Sequence, residues 1–168
     1  MKKNINSIFK GIVFSTVLCL FVVVNGYGGQ YQALDGVKDV KVVFDVRSKK
    51  VKSAFVQLGL IHETFKDRNI LEVSAKPQFV VVFGGAAVKL LSTDHEGFSD
   101  EEKVLVGHIA DILAAMVTDG IRLEICLFAA DIYGVEPETI MPGIHHVDNG
   151  WISLIGYQNK GYALVAAF

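Results

Sequence analysis

Five consecutive residues, Phe79-Val80-Val81-Val82-Phe83, carry no polar side chain and no alternation between polar and apolar. A strand with one wet face alternates; an unbroken β-branched and aromatic run needs cover on both faces, which is the environment of a parallel sheet clothed by helices. Gly84-Gly85 ends the run. This one segment argues against an open antiparallel sheet and for a layered α/β domain, and the rest of the chain can be tested against it.

The flanking pattern agrees. Val40 to Val46 is a β-branched run bounded by Asp35-Gly36 and by Arg47-Ser48-Lys49-Lys50, and reads as the first strand. From Val51 the period changes, with Val51, Ala54, Phe55, Leu58, Ile61, His62 and Phe65 on one helical face, which predicts a helix ending near Asn69. After the apolar strand, Ala86 to Leu91 suits a short helical turn, and Ser92 to Phe98 a polar loop. Ser99-Asp100-Glu101-Glu102 has the capping-box spacing and starts a helix with the stripe Leu105, Ile109, Ile112, Leu113 and Met116, stopped by Asp119-Gly120. Ile121 to Cys126 alternates, which puts Cys126 on the more polar face with Arg122 and Glu124. Leu127 to Tyr133 suits a helix closed by Gly134, and Pro137 the first turn of another short one. Ile144 to Val147 is a short strand; Asp148 or Asn149 then caps a helix with inner stripe Trp151, Leu154, Ile155 and Gln158, closed by Gly161. Tyr162 to Ala167 is the last strand. Strands and helices in this order predict a layered α/β domain with right-handed crossovers and a largely parallel sheet.

The N-terminus has its own logic. Lys2, Lys3 and Lys10 precede an apolar run from Ile12 to Val24, followed by Asn25-Gly26-Tyr27-Gly28-Gly29, the layout of a signal peptide. The run is shorter than the roughly 20 residues of a membrane-spanning helix. Residues 1–29 are therefore expected to be a cleaved leader, and 30–168 a single domain that is periplasmic or secreted. An uncleaved leader would instead tether the same domain, the one route to a membrane that the sequence offers. Leu18 before Cys19 does not suit a lipidated cysteine, so Cys126 would be the only thiol left after cleavage. A net charge of −2 without a basic block gives no reason to expect nucleic acid as a partner.

Cys126 is the leading chemical candidate, because it stands where a strand ends and a helix begins, the place where ligands gather in open α/β sheets. The opposing reading is a small buried hydrophobe: Leu127-Phe128-Ala129-Ala130 is apolar, and Glu124 is a like charge nearby. Both stay open on spacing alone. Five histidines do not make a metal site, since His145 and His146 are adjacent on a strand and point to opposite faces, and no second pair has ligand spacing. Gly84-Gly85 follows a buried strand as a phosphate loop would, but neither common nucleotide motif is present, and no cofactor is expected. Gly-x-Ser-x-Gly, His-Glu-x-x-His and Cys-x-x-Cys are also absent.

Ile125-Cys126, Pro142-Gly143-Ile144, Val147-Asp148-Asn149-Gly150 and Gln158-Asn159-Lys160-Gly161-Tyr162 together resemble the DsrE/DsrF-like family of small sulfur-relay proteins, and the likeness extends back to Val40. The resemblance implies a three-layer α/β/α fold with a mostly parallel central sheet of about five strands, assembled as a homo-oligomer. It also implies that Cys126 carries sulfur as a persulfide, received from a donor protein or passed to an acceptor. The binding positions read beside it are Gly84, Gly85, Asn149 and Gln158. Whether the chain is a sulfurtransferase-like enzyme or a non-catalytic binding or assembly module on the same fold stays open here.

Overall fold

The structure is a computed structural model that describes residues 31–48 and 50–167. The leader read at 1–29 lies outside the described residues, as does Cys19. Among the described residues no helix is long and apolar enough to cross a membrane.

The unbroken apolar run is the centre of the fold. It forms β2 (Gln78–Phe83), flanked by β1 (Lys41–Val46) and β3 (Arg122–Cys126), with β4 (His145–Val147) and β5 (Ala163–Ala167) at the two edges. The sheet order is β4-β3-β2-β1-β5 and every pairing is parallel. Phe79 to Phe83 are all at most 3% exposed, as a strand covered on both faces requires.

Alternation sends Phe44, Val46, Val81, Phe83, Leu123 and Ile125 to one face, under helices α1 (Val51–Phe65) and α3 (Asp100–Thr118). The buried stripe of α1 is Val51, Ala54, Leu58 and Ile61, and that of α3 is Val106, Ile109, Leu113 and Met116. Leu105 and Ile112, read into the α3 stripe, lie at its margin, and Val106 replaces them at the centre. Fully burying a side chain such as Leu58 or Phe83 stabilises by about 1.5–3 kcal/mol each. The capping box at Ser99 is formed, with Ser99 N donating to Glu102 Oε2 at 2.9 Å and Glu102 N to Ser99 Oγ at 3.3 Å.

The helix expected to run to Asn69 is two. The chain turns after Phe65, and Asp67 Oδ1 accepts from Asn69 N at 2.7 Å to start α2 (Arg68–Val73). A capping side chain offers the backbone a competing partner and so divides what periodicity alone reads as continuous. Helix α4 (Leu127–Tyr133) ends at Gly134, whose φ of 66° is the left-handed closure that glycine adopts without a Cβ clash.

The opposite face of the sheet, with Val43, Val80 and Val82, is covered by α5 (Gly150–Asn159) through Leu154, Tyr157 and the following Tyr162. The layers are thus α1 and α3, the sheet, and α5. The inner stripe expected for α5 is corrected: Trp151 and Ile155 are 66% and 59% exposed, Gln158 is exposed, and of the four only Leu154 is buried. The helix is apolar on nearly every side, so its period does not identify the buried face; the sheet does, by accepting Leu154 and Tyr157.

Candidate functional site

Helix α4 packs its Ala129 and Ala130 into the core shared with α1 and α3, while α5 lies on the other face. The connections leaving β3 and β4, which are neighbours, therefore diverge to opposite sides of the sheet. Such a divergence opens a crevice beyond the carboxyl ends of the two strands. Cys126 ends β3 and is the residue from which α4 starts; Asn149 follows β4 and caps α5, its Oδ1 accepting from Trp151 N at 3.0 Å.

A cavity of about 270 Å3 occupies this crevice. Cys126, Asn149, Gly85 and Arg47 line its polar part; Phe128, Ala129, Ile132, Tyr133 and Trp151 form an apolar wall. Cys126 is 5% exposed and the free thiol among the described residues. Gly150 fits against it: a Cβ there would lie 3.1 Å from Cys126 Cβ and 3.2 Å from Val82 Cγ1. A side chain at 150 would push the start of α5 away from the thiol.

Of the positions read from sequence, Gly85, Asn149 and Cys126 are brought together at the cavity. Gly84 does not line the cavity; it lies beside Arg47, where a Cβ would come within 2.7 Å of Arg47 Nη1. Gln158 is elsewhere, near the end of α5, where its Nε2 donates to Leu154 O at 3.3 Å. Arg47 escaped the sequence reading because it opens the charged run that ends β1. The signal for it was the alternation Val43, Asp45, Arg47, which puts the last two on the face of Cys126. Phe128 and Ile132 stand one helical turn apart on α4 and leave the core, at 65% and 62% exposed.

The polar face expected for β3 is present but buried. Glu124 is 2% exposed, and its Oε1 accepts from Arg122 Nε at 2.6 Å and from Tyr157 OH at 2.7 Å. Burial works against the charged carboxylate, yet these hydrogen bonds outweigh it and hold Glu124 below the usual glutamate range. Burial, then the bond to Glu124, pushes the Tyr157 hydroxyl up to about 12. The network fastens α5 to β3 beneath Cys126. Of the histidines, His62 Nε2 meets Asp119 Oδ2 at 2.6 Å on the far side, and among the described residues no group of three or more His, Cys, Asp or Glu could hold a metal ion.

A parallel α/β/α sandwich with a thiol at a strand end, where neighbouring crossovers part, defines a class of small cysteine-bearing α/β proteins. Within that class, the model of the DsrE/DsrF-like family matches residues 41–167, and the chain belongs to this family. An uncharacterized protein of Aquifex aeolicus (strain VF5) is 25% identical over 127 residues, 75% of this chain. The match spans only about half of that curated relative, 55% of its length. Among solved structures, MTH1491 of Methanobacterium thermoautotrophicum, a protein of unknown function, superposes with a TM-score of 0.58 at 17% identity, covering 76% of this chain and 99% of that one. The ychN protein from E. coli gives 0.53 at 13% identity, covering 76% and 99%. BT1422 of Bacteroides thetaiotaomicron, also of unknown function, gives 0.52 at 20%, covering 75% and 94%. These structures share the fold.

Proposed function

We propose that the protein is a persulfide carrier, in which the Cys126 thiolate accepts a sulfur atom and hands it to an acceptor thiol. The observation that carries this reading is the cavity on Cys126: the thiol is nearly buried, but it lines a space large enough for a small sulfur compound or the tip of a partner's cysteine loop. A structural cysteine of the same burial would have packed side chains in that space. Attack of sulfur on sulfur requires an approach of this kind, and family membership agrees with it.

Incubation of the reduced protein with inorganic polysulfide, followed by intact-mass measurement, tests the reading. The expected result is a gain of one sulfur that disappears in Cys126→Ser and on reduction. No gain on the wild-type protein, or a gain that survives Cys126→Ser, would sink it.

A second reading is favoured by a specific observation: Phe128, Ile132 and Trp151 line the cavity yet are exposed, and α5 also exposes Ile152 and Ile155, apolar surface suited to subunit contact. In that reading the protein is a homo-oligomeric assembly or binding module and Cys126 is packing. Thiol titration of the native protein separates the two, since prompt labelling at neutral pH supports the carrier and labelling only in denaturant supports the module. The N-terminal pattern supports export by a leader, checked by the N-terminal residue of the protein recovered from the producing cell.

A further inference from the structure

Three strand ends stand in one row on the α5 face. Val46, Phe83 and Ile125 are in register across β1, β2 and β3, so the next residues, Arg47, Gly84 and Cys126, follow side by side. The middle position has no side chain, and the Arg47 guanidinium takes the space instead: a Cβ on Gly84 would lie 2.7 Å from Nη1 and 3.0 Å from Cζ. Adjacent strands are about 4.8 Å apart, and the cation is thus carried from β1 onto β2, the strand next to Cys126. Asp45 Oδ1 accepts from Arg47 Nε at 2.6 Å, which fixes the guanidinium and partly balances its charge. Arg47 and Cys126 line the same cavity.

We infer that this cavity takes its sulfur from a small donor whose transferable sulfur is bonded to an oxyanion, the thiosulfonate class, with Arg47 holding the oxyanion while Cys126 attacks. The inference rests on the persulfide reading above and deepens it. A thiolate approaching an anionic donor meets like-charge repulsion, which a guanidinium at the far end of the donor offsets. One cation, already shared with Asp45, suits a monoanion. A dianion such as thiosulfate would leave charge uncompensated against the apolar wall of Phe128, Ile132 and Trp151. That wall suits an apolar body, so an aryl or alkyl thiosulfonate fits better than its inorganic counterpart.

In the step, a bond forms between Cys126 Sγ and the terminal sulfur of the donor. The bond from that sulfur to the sulfonyl sulfur breaks, and its electron pair leaves with the sulfinate. Cys126 is oxidised to the persulfide anion as the sulfonyl group is reduced to sulfinate. One negative charge enters on each reactant and one leaves on each product, with no further reagent.

The test follows persulfide formation and sulfinate release by the full chain with benzenethiosulfonate, with thiosulfate in a parallel arm, and measures alkylation by uncharged iodoacetamide as the index of thiol reactivity. Arg47→Met is expected to slow the thiosulfonate reaction by about ten-fold or more, the loss of one charge-assisted contact, while alkylation changes little. Gly84→Ala, which displaces the guanidinium without removing it, should act in the same direction. Faster reaction with benzenethiosulfonate than with thiosulfate supports the organic donor, and the reverse order assigns the inorganic one. Equal loss in both thiol reactions, or no loss, overturns the inference, as does loading by a partner protein's persulfide when neither small donor reacts. Failure to gain sulfur even from inorganic polysulfide would instead overturn the carrier reading beneath it.

Discussion

Replacing Tyr157 by Phe removes one oxygen and leaves the ring in place against Tyr162, whose centroid is 5.0 Å away. The cost falls on Glu124, a carboxylate 2% exposed that would lose the 2.7 Å donor from Tyr157 while keeping the 2.6 Å one from Arg122. A hydrogen bond to a charged group contributes about 1.5–3 kcal/mol. For a domain of this size that converts to a fall of roughly 5–10 °C in Tm. The effect depends on pH with a definite sign. Glu124 is held below its ordinary value in the folded state, so its contribution is fully present above the unfolded pKa and is lost as pH falls through the folded one. The wild type and Tyr157→Phe should therefore differ most near neutral pH and converge as pH falls below the usual glutamate range. Thermal unfolding followed by circular dichroism across that range measures it. A Tm unchanged at pH 7, or a gap that widens in acid, would refute the claim that Tyr157 stabilises a buried carboxylate.

Other outcomes follow from the same geometry. Gly150→Val puts a branched side chain where a Cβ alone already comes within 3.1 Å of Cys126 Cβ; it should destabilise by about 1–3 kcal/mol and alter the native labelling rate of the thiol. Ser99→Ala removes the hydroxyl of the α3 capping box, at a cost of about 1 kcal/mol in denaturant unfolding, and should leave Cys126 labelling unchanged because Ser99 does not line the cavity.

The parts of the fold legible in the sequence are those where one local rule dominates. Phe79 to Phe83 could only be a doubly covered strand, Ser99 with Glu102 could only begin a helix, and Gly134 could only end one. Cys126 was visible for the same reason, at the junction of an alternating strand and a helical run. What stayed hidden was set by partners distant in sequence. Glu124 reads as a surface charge until Tyr157 and Arg122 are brought to it. The buried face of α5 is chosen by the sheet, since Trp151, Ile152, Leu154 and Ile155 surround the helix with apolar side chains. Arg47 acquires meaning only when Gly84, from another strand, gives it room.

The pairing of β5 with β1 has a kinetic consequence. Val42 meets Ala163 and Val46 meets Ala167, so the first strand of this sheet waits for the fifth before one of its edges is sealed. Until then β1 presents a row of unpaired amides to any other chain nearby, the circumstance in which nascent strands associate wrongly. Contacts this remote along the chain also slow closure. A nascent domain of this topology thus has a vulnerable interval that lasts nearly as long as its synthesis, and chaperone dependence should be concentrated there.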